Sequence, residues 1–231
     1  MEDFDISRFR GALIDMDGVL YDSMPRHARA WKVMTDICGL NCDPDEFYLY
    51  EGMTGPATIQ LIYRRERHYD IEHEDAEILY AIKSRHFAAM GSAPTMPGAD
   101  RMLRAFEQAG IPRVLVTGSG QKSLLDKLDR DYPGAFADNH RVTALDVTHG
   151  KPDPEPYLRG AAKLGFDPQD CIVVENAPLG VRAGKAAGCF TVAVMTGPIP
   201  RERFVEEHAD MIFDTMPQFA AWLEQKLAKV D

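Results

Sequence analysis

Ala12-Leu13-Ile14-Asp15-Met16-Asp17-Gly18-Val19-Leu20-Tyr21-Asp22-Ser23 is an apolar run that ends in two carboxylates and a glycine. Gly11 to Ile14 is short, apolar and bounded by Arg10 and Asp15, which predicts a strand buried on both faces of a parallel sheet. At the carboxyl end of such a strand, Asp15 and Asp17 stand in the crevice where open α/β sheets bind ligands, and Gly18 lets the backbone turn sharply.

Working outward, the next eighty residues read as helical. Pro25 to Cys38 carries Trp31, Met34 and Cys38 on one stripe; a loop covers Gly39 to Gly55; Pro56 opens a helix to His68; and Glu74 to Met90 places Ile78, Leu79 and Ile82 on one side. The breaker-rich segment Gly91 to Gly98 reads as a connection, followed by an amphipathic helix marked by Ala99, Met102, Leu103 and Phe106. From there strands expected at Arg113 to Val116, Val142 to Leu145, Cys171 to Val174, Phe190 to Val194 and Met211 to Phe213 alternate with helices near 121–130, 154–164, 178–187 and 217–228. That alternation implies an α/β fold with a Rossmann-like parallel sheet. The expected organisation is a core of residues 1–22 and 97–231, with a helical cap of residues 23–96 inserted directly after the carboxylate pair. A small domain hinged beside a site can act as a lid that excludes water.

Composition narrows the function classes. A net charge of −10 argues against non-specific binding to nucleic acid or to an anionic membrane, so any phosphate must be drawn in locally. No run approaches a membrane span, and the acidic start, Met1 to Asp5, lacks the basic and apolar regions of a signal peptide. Cys38, Cys42, Cys171 and Cys189 show no C-x-x-C spacing and read as reduced thiols of a cytoplasmic protein. The Arg64, Arg65 and Arg67 run reads as a solvated helix face, and His68, His73 and His86 lack metal-ligand spacing.

Four stretches fall at expected strand ends or just after them: Asp15-Met16-Asp17, Thr117-Gly118-Ser119, Gly150-Lys151-Pro152-Asp153-Pro154 and Glu175-Asn176-Ala177-Pro178. In order, spacing and setting they resemble the four signatures of the haloacid dehalogenase superfamily over essentially the whole chain. The inserted helices resemble that superfamily's first cap class, the β-phosphoglucomutase-like group. Thr117 to Ser123 only superficially suggests a nucleotide P-loop, because Gln121 replaces the final glycine and the spacer is absent.

The resemblance implies phosphoryl transfer through an aspartyl-phosphate. It makes Asp15 the nucleophile and Asp17 the general acid and base, with Mg²⁺ held by Asp15, the Asp17 backbone carbonyl and Asn176, and Glu175 supporting the metal from behind. Thr117 and the amides of Gly118 and Ser119 would cradle the phosphoryl oxygens, and Lys151 would supply positive charge. The family usually carries Asp where this chain has Asn176. His27, with Ala30 and Trp31, matches a stretch near the hinge of β-phosphoglucomutase.

Substrate choice in this cap class rests largely on the cap loop, here Tyr50-Glu51-Gly52-Met53-Thr54-Gly55. The mutase has a lysine before the matching glycine and an arginine three residues after it, where this chain has Glu51 and Gly55. Replacing attraction by repulsion near a phosphate reverses an interaction of roughly 4 kcal/mol per unit-charge pair at 4 Å and intermediate dielectric. An inorganic pyrophosphatase of this group is similar in two details, the cap-loop Glu and the Asn at the fourth signature. The expectation is therefore a Mg²⁺-dependent phosphohydrolase, a monomer or weak homo-oligomer, acting on pyrophosphate or a small phosphorylated metabolite. The alternatives are a β-phosphoglucomutase and a phosphate-responsive binding module. Retention of Asp17 opposes the module, which needs no general acid, and also the dehalogenase activity, whose members lack the second acid and the metal.

Overall fold

A computed structural model describes residues 5–6, 8–119 and 122–228 of the chain. Most of the acidic start and Gln121, the first residue of the helix expected at 121–130, lie outside the described residues. Gly11–Ile14 forms β1, all four residues buried. It pairs in parallel with β2 (Arg113–Val116) on one side and β4 (Cys171–Glu175) on the other. β3 (Arg141–Val142), β5 (Phe190–Val194) and β6 (Met211–Phe213) extend the sheet to the order β3-β2-β1-β4-β5-β6.

Alternation along the strands divides the core into two layers. Ala12, Ile14, Leu115, Val174 and Val192 face α4 (Ala99–Gln108) and α9 (Met216–Leu227), packing against Met102, Phe106, Phe219 and Leu223. Leu13, Val114, Val116 and Val173 face α6 (Glu155–Leu164) and α7 (Pro178–Ala186), packing against Tyr157, Ala161 and Ala183. Each fully buried aliphatic side chain stabilises the fold by about 1.5–3 kcal/mol, so β1 is fixed in register from both faces. From β1 the sheet grows through β2 and β3 to one side and through β4, β5 and β6 to the other, so the strand order reverses beside β1 and opens a crevice at its carboxyl end.

After β1 the chain enters three helices, α1 (Met24–Ile37), α2 (Gly55–Arg67) and α3 (His73–Ala89), before returning to α4. The outgoing and returning linkers pair: Tyr21 and Thr95 form an antiparallel bridge, with Asp22 N donating to Pro94 O at 3.0 Å and Met96 N to Leu20 O at 2.8 Å. Trp31 stacks on Phe47 at 5.7 Å and leans on Tyr80, which ties α1 to the loop and to α3. α5 (Lys122–Asp131) and α8 (Arg201–Glu206) complete the helices among the described residues.

Several expectations are corrected. The strand expected at Val142 to Leu145 stops at Val142, because the Thr143 amide and hydroxyl both donate to the Asp146 carboxylate and turn the chain, leaving Leu145 84% exposed. The loop expected over Gly39 to Gly55 contains a 3₁₀ turn, Pro44–Tyr48, capped by the Asp43 carboxylate. α8 has no counterpart in the sequence reading; it is six residues long and buries Phe204. On α3 the inward face is Ala76, Lys83 and Phe87, while Ile78 is 60% exposed. The arginine run keeps its expected exposure, and two of its members also bond within the cap: Arg65 binds Glu46 at 2.9 and 3.0 Å and donates to the Tyr50 hydroxyl at 2.9 Å, and Arg67 donates to the carbonyls of Cys38 and Gly39 at the end of α1.

Candidate active site

The four stretches singled out by sequence meet at the carboxyl ends of β1, β2 and β4. Asp15 follows β1, Thr117 follows β2, and Glu175 and Asn176 end and follow β4. Gly18, at φ 77°, has no room for a side chain, since a Cβ there would lie 1.9 Å from Nδ2 of Asn176. The turn after Asp17 thus lets Asn176 lie flat across it, and the Thr196 hydroxyl fixes the same turn by donating to Gly18 O at 2.6 Å.

Lys151 is the hub. Its Nζ donates to Asp15 Oδ1 at 2.5 Å, to Glu175 Oε1 at 2.6 Å and to Val116 O at 3.1 Å, all in the buried interior. Burial alone would lower the Lys151 amine, but the Asp15 and Glu175 charges outweigh it and hold the amine above the usual lysine range. Glu175 is fully occupied: Oε1 also accepts from the Tyr157 hydroxyl at 2.7 Å, and Oε2 from the amides of Asn176 and Ala177. It anchors Lys151 and the backbone of the Asn176 loop rather than reaching into the crevice.

The two aspartates sit in opposite environments. Burial, with the neighbouring Glu175 and Asp17 charges, holds the Asp15 carboxyl well above the ordinary range despite Lys151. Burial also pushes Asp17 up, but there the charge and hydrogen bonds of His27, Ser23 and Lys83 prevail and the carboxyl ends below its ordinary value. Asp17 Oδ1 accepts from Ser23 Oγ at 2.6 Å and lies 3.2 Å from His27 Nε2. Behind His27, Lys83 Nζ lies 2.6 Å from Nδ1. A protonated Lys83 can only donate and an ionised Asp17 can only accept, so with both charged the chain of bonds selects the His27 tautomer with its hydrogen on Nε2.

Lys83 is 2% exposed and ringed by Trp31, Tyr80 and Phe87, 5.0, 5.6 and 5.2 Å from their ring centres. Sequence reading missed it because apolar periodicity assigned the α3 face to Ile78, Leu79 and Ile82; a lysine on the aromatic side of a helix carries no local signal. The sequence reading gave Ser23 no role either, and Tyr157 and Thr196 reach the site only through the tertiary fold.

On the β2 side, Thr117 Oγ1 accepts from the Ser119 amide at 3.1 Å, so this amide is satisfied within the loop, and Gly118 and Ser119 line the crevice. From the cap, Glu51 Oε2 accepts from Asn176 Nδ2 at 2.9 Å. Burial first, then the Asp15, Glu175 and Asp17 charges, hold the Glu51 carboxyl well above its ordinary value. Three buried oxygens around this crevice have no hydrogen-bond partner: Asp15 Oδ2, Asn176 Oδ1 and Glu51 Oε1. Buried polar atoms are normally satisfied, and a set of acceptor-only oxygens among surplus negative charge suits a hard divalent cation.

A family model for haloacid dehalogenase-like hydrolases matches residues 9–188. Hexitol phosphatase A of Escherichia coli is 34% identical over 91% of this chain and 93% of its own length. β-Phosphoglucomutase of Bacillus subtilis is 28% identical over 81% of this chain and 84% of its own. A solved structure from Bacteroides vulgatus, described as "Putative beta-phosphoglucomutase", is 43% identical with a TM-score of 0.90, covering 96% of this chain and 89% of that one. With the carboxylate pair, the Thr117 loop, Lys151 and Asn176 all at the strand ends that this match spans, the chain belongs to the haloacid dehalogenase-like hydrolase family.

Proposed function

We propose that the protein is a Mg²⁺-dependent phosphohydrolase that moves a phosphoryl group from pyrophosphate or a small phosphate ester to Asp15 and then to water. The observation that carries this reading is the set of unpartnered oxygens on Asp15, Asn176 and Glu51 around a lysine-paired nucleophile. Relatives named as phosphatases support hydrolysis as the outcome. Asp15, Asn176, the Asp17 carbonyl and Glu51 would hold Mg²⁺, which when bound supplies charge that offsets the carboxylates and the phosphoryl oxygens.

The residues of the chain then divide the work. Lys151 fixes the Asp15 carboxylate and balances its charge. An Asp15 oxygen forms a bond to phosphorus as the bond to the leaving oxygen breaks, and that oxygen takes a proton from Asp17, which stands ionised beside His27 in the resting site and must take up a proton before the transfer. In the second step Asp17 takes a proton from a water whose oxygen attacks phosphorus; the bond to Asp15 breaks and phosphate leaves. Ser23 and His27 hold Asp17 in place for both transfers. Thr117 and the Gly118 amide receive the phosphoryl oxygens, with the Ser119 amide holding Thr117 Oγ1 in place.

A β-phosphoglucomutase is the second reading, favoured by the similarity to proteins so described. Glu51 opposes it, because an acid stands where the mutase has a lysine for the far phosphate of a hexose bisphosphate, whereas the metal that would accompany pyrophosphate would offset the Glu51 charge. Phosphate release with and without Mg²⁺, across pyrophosphate, β-glucose 1-phosphate, hexose 6-phosphates, glycerol phosphate and phosphoglycolate, tests the two together. Mg²⁺-dependent release from one preferred substrate is expected. No release, with conversion of β-glucose 1-phosphate to its 6-phosphate, would establish the mutase instead.

A further inference from the structure

The cap meets the core along a close seam, and on the core side the contact points are glycines from three separate loops. A Cβ on Gly118, after β2, would lie 3.2 Å from Gly52 O and 3.4 Å from Met53 O. On Gly150, before α6, it would lie 2.9 Å from Thr54 Cγ2 and 3.2 Å from Thr54 N. On Gly197, after β5, it would lie 2.9 Å from Cδ1 of Tyr48. None of the three has φ in the left-handed region, so their own backbones would accept an L residue. The space of the missing side chains is taken by the cap, and all of it by one segment, Tyr48 to Thr54.

That segment is the one that delivers Glu51 to Asn176. Its tip, Gly52, rests on the stem of Lys151, where a Cβ would lie 2.8 Å from Cδ. In this seated position the cavity over Asp15 and Asp17 is about 60 Å³, well below the roughly 300–1,000 Å³ of sites for drug-sized ligands. The loop cannot descend further, because its backbone already lies against Gly118 and Gly150 and its Tyr48 ring against Gly197; it would stop short if any of these positions carried a side chain.

We propose that Gly118, Gly150 and Gly197 form a seat that sets how deeply the cap loop closes, and through that depth favours a substrate whose leaving group is no larger than a second phosphate. This deepens the phosphohydrolase reading and rests on it. A compact substrate is turned over with the loop seated and Glu51 on Asn176. A bulky ester holds the loop off its seat, so it gains nothing from the glycines.

The test uses Gly150→Ala and Gly197→Ala, since Gly118 lies in the phosphate loop itself. For each, kcat/KM on pyrophosphate is expected to fall about a hundredfold, as misplacement by an ångström does, while that on p-nitrophenyl phosphate stays within about threefold. Thr54→Ser removes the methyl that Gly150→Ala would strike, and Tyr48→Leu the ring that Gly197→Ala would strike; each is expected to restore much of the loss in its own pair and none in the other. Hydrogen exchange of the amides of residues 48–54 reads the seat without any substrate, and should be faster in each alanine variant and slowed again by the matching cap change. Equal falls on both substrates, or unchanged exchange, would overturn the seat. If the wild type hydrolyses none of the phosphates the phosphohydrolase reading fails, and the exchange measurements still decide whether the glycines seat the loop.

Discussion

Nζ of Lys83 lies 2.6 Å from Nδ1 of His27, which joins α3 to α1 through a buried amine and an imidazole whose other nitrogen faces Asp17. Burial pushes this amine down to about 7, with the Asp17 charge opposing the shift. An unfolded lysine titrates near 10.4, so between about 7 and that value the unfolded chain binds a proton that the folded one lacks, and stability rises with pH. Below about 7 both states are charged and the burial cost is carried in full. Relative to wild type, Lys83→Met should therefore gain most below neutrality, and its advantage should shrink by about 1.4 kcal/mol per pH unit above it. Urea unfolding across this range measures the gap; a gap that does not change with pH would return Lys83 to an ordinary pKa.

Asp15→Ala should abolish turnover, since no other group stands where the bond to phosphorus forms. Asp17→Asn keeps the shape and the acceptor for Ser23 but cannot exchange a proton, and should slow phosphate release by about 10²–10⁴-fold. Release within about tenfold of wild type in either variant would remove that residue from the chemistry.

Lys151 balances two buried carboxylates at once. Lys151→Met leaves Asp15 and Glu175 facing each other without a cation, and should cost about 3–5 kcal/mol of stability as well as activity. Denaturant unfolding without Mg²⁺ checks this, and a loss of activity alone would limit Lys151 to charge stabilisation during transfer.

Glu51 is held in a field of like charge. Without a divalent cation, Glu51→Gln should raise the thermal midpoint, because it removes one of several buried acids; with Mg²⁺, the stabilisation that the ion gives wild type should shrink. Thermal unfolding in chelator and in Mg²⁺ separates the two effects. On activity, Glu51→Ala should lose pyrophosphate hydrolysis selectively, and unchanged hydrolysis would take Glu51 out of the site.

The parallel sheet, the inserted helices and the core of the site were legible because each leaves a local mark. Apolar runs of strand length end in polar residues at Asp15, Thr117 and Glu175, and prolines open α1, α2, α6, α7 and α9 within their first two positions. What was not legible depends on neighbours distant in sequence. Lys83 reads as a surface lysine until His27 and Trp31 of α1 enclose it. β3 lost its expected end to a side-chain bond from Thr143 to Asp146, which competes with the ladder at an edge where only one partner strand holds it.

The central place of β1 also bears on how the chain comes off the ribosome. It is made first, yet one of its edges stays open until β4 follows, and Lys151 meets Asp15 across 136 residues of chain. Through most of synthesis an apolar strand edge is bare, the kind of surface that recruits other chains. The cluster of Asp15, Lys151 and Glu175 therefore cannot assemble until β4 has been made and the sheet has closed around β1.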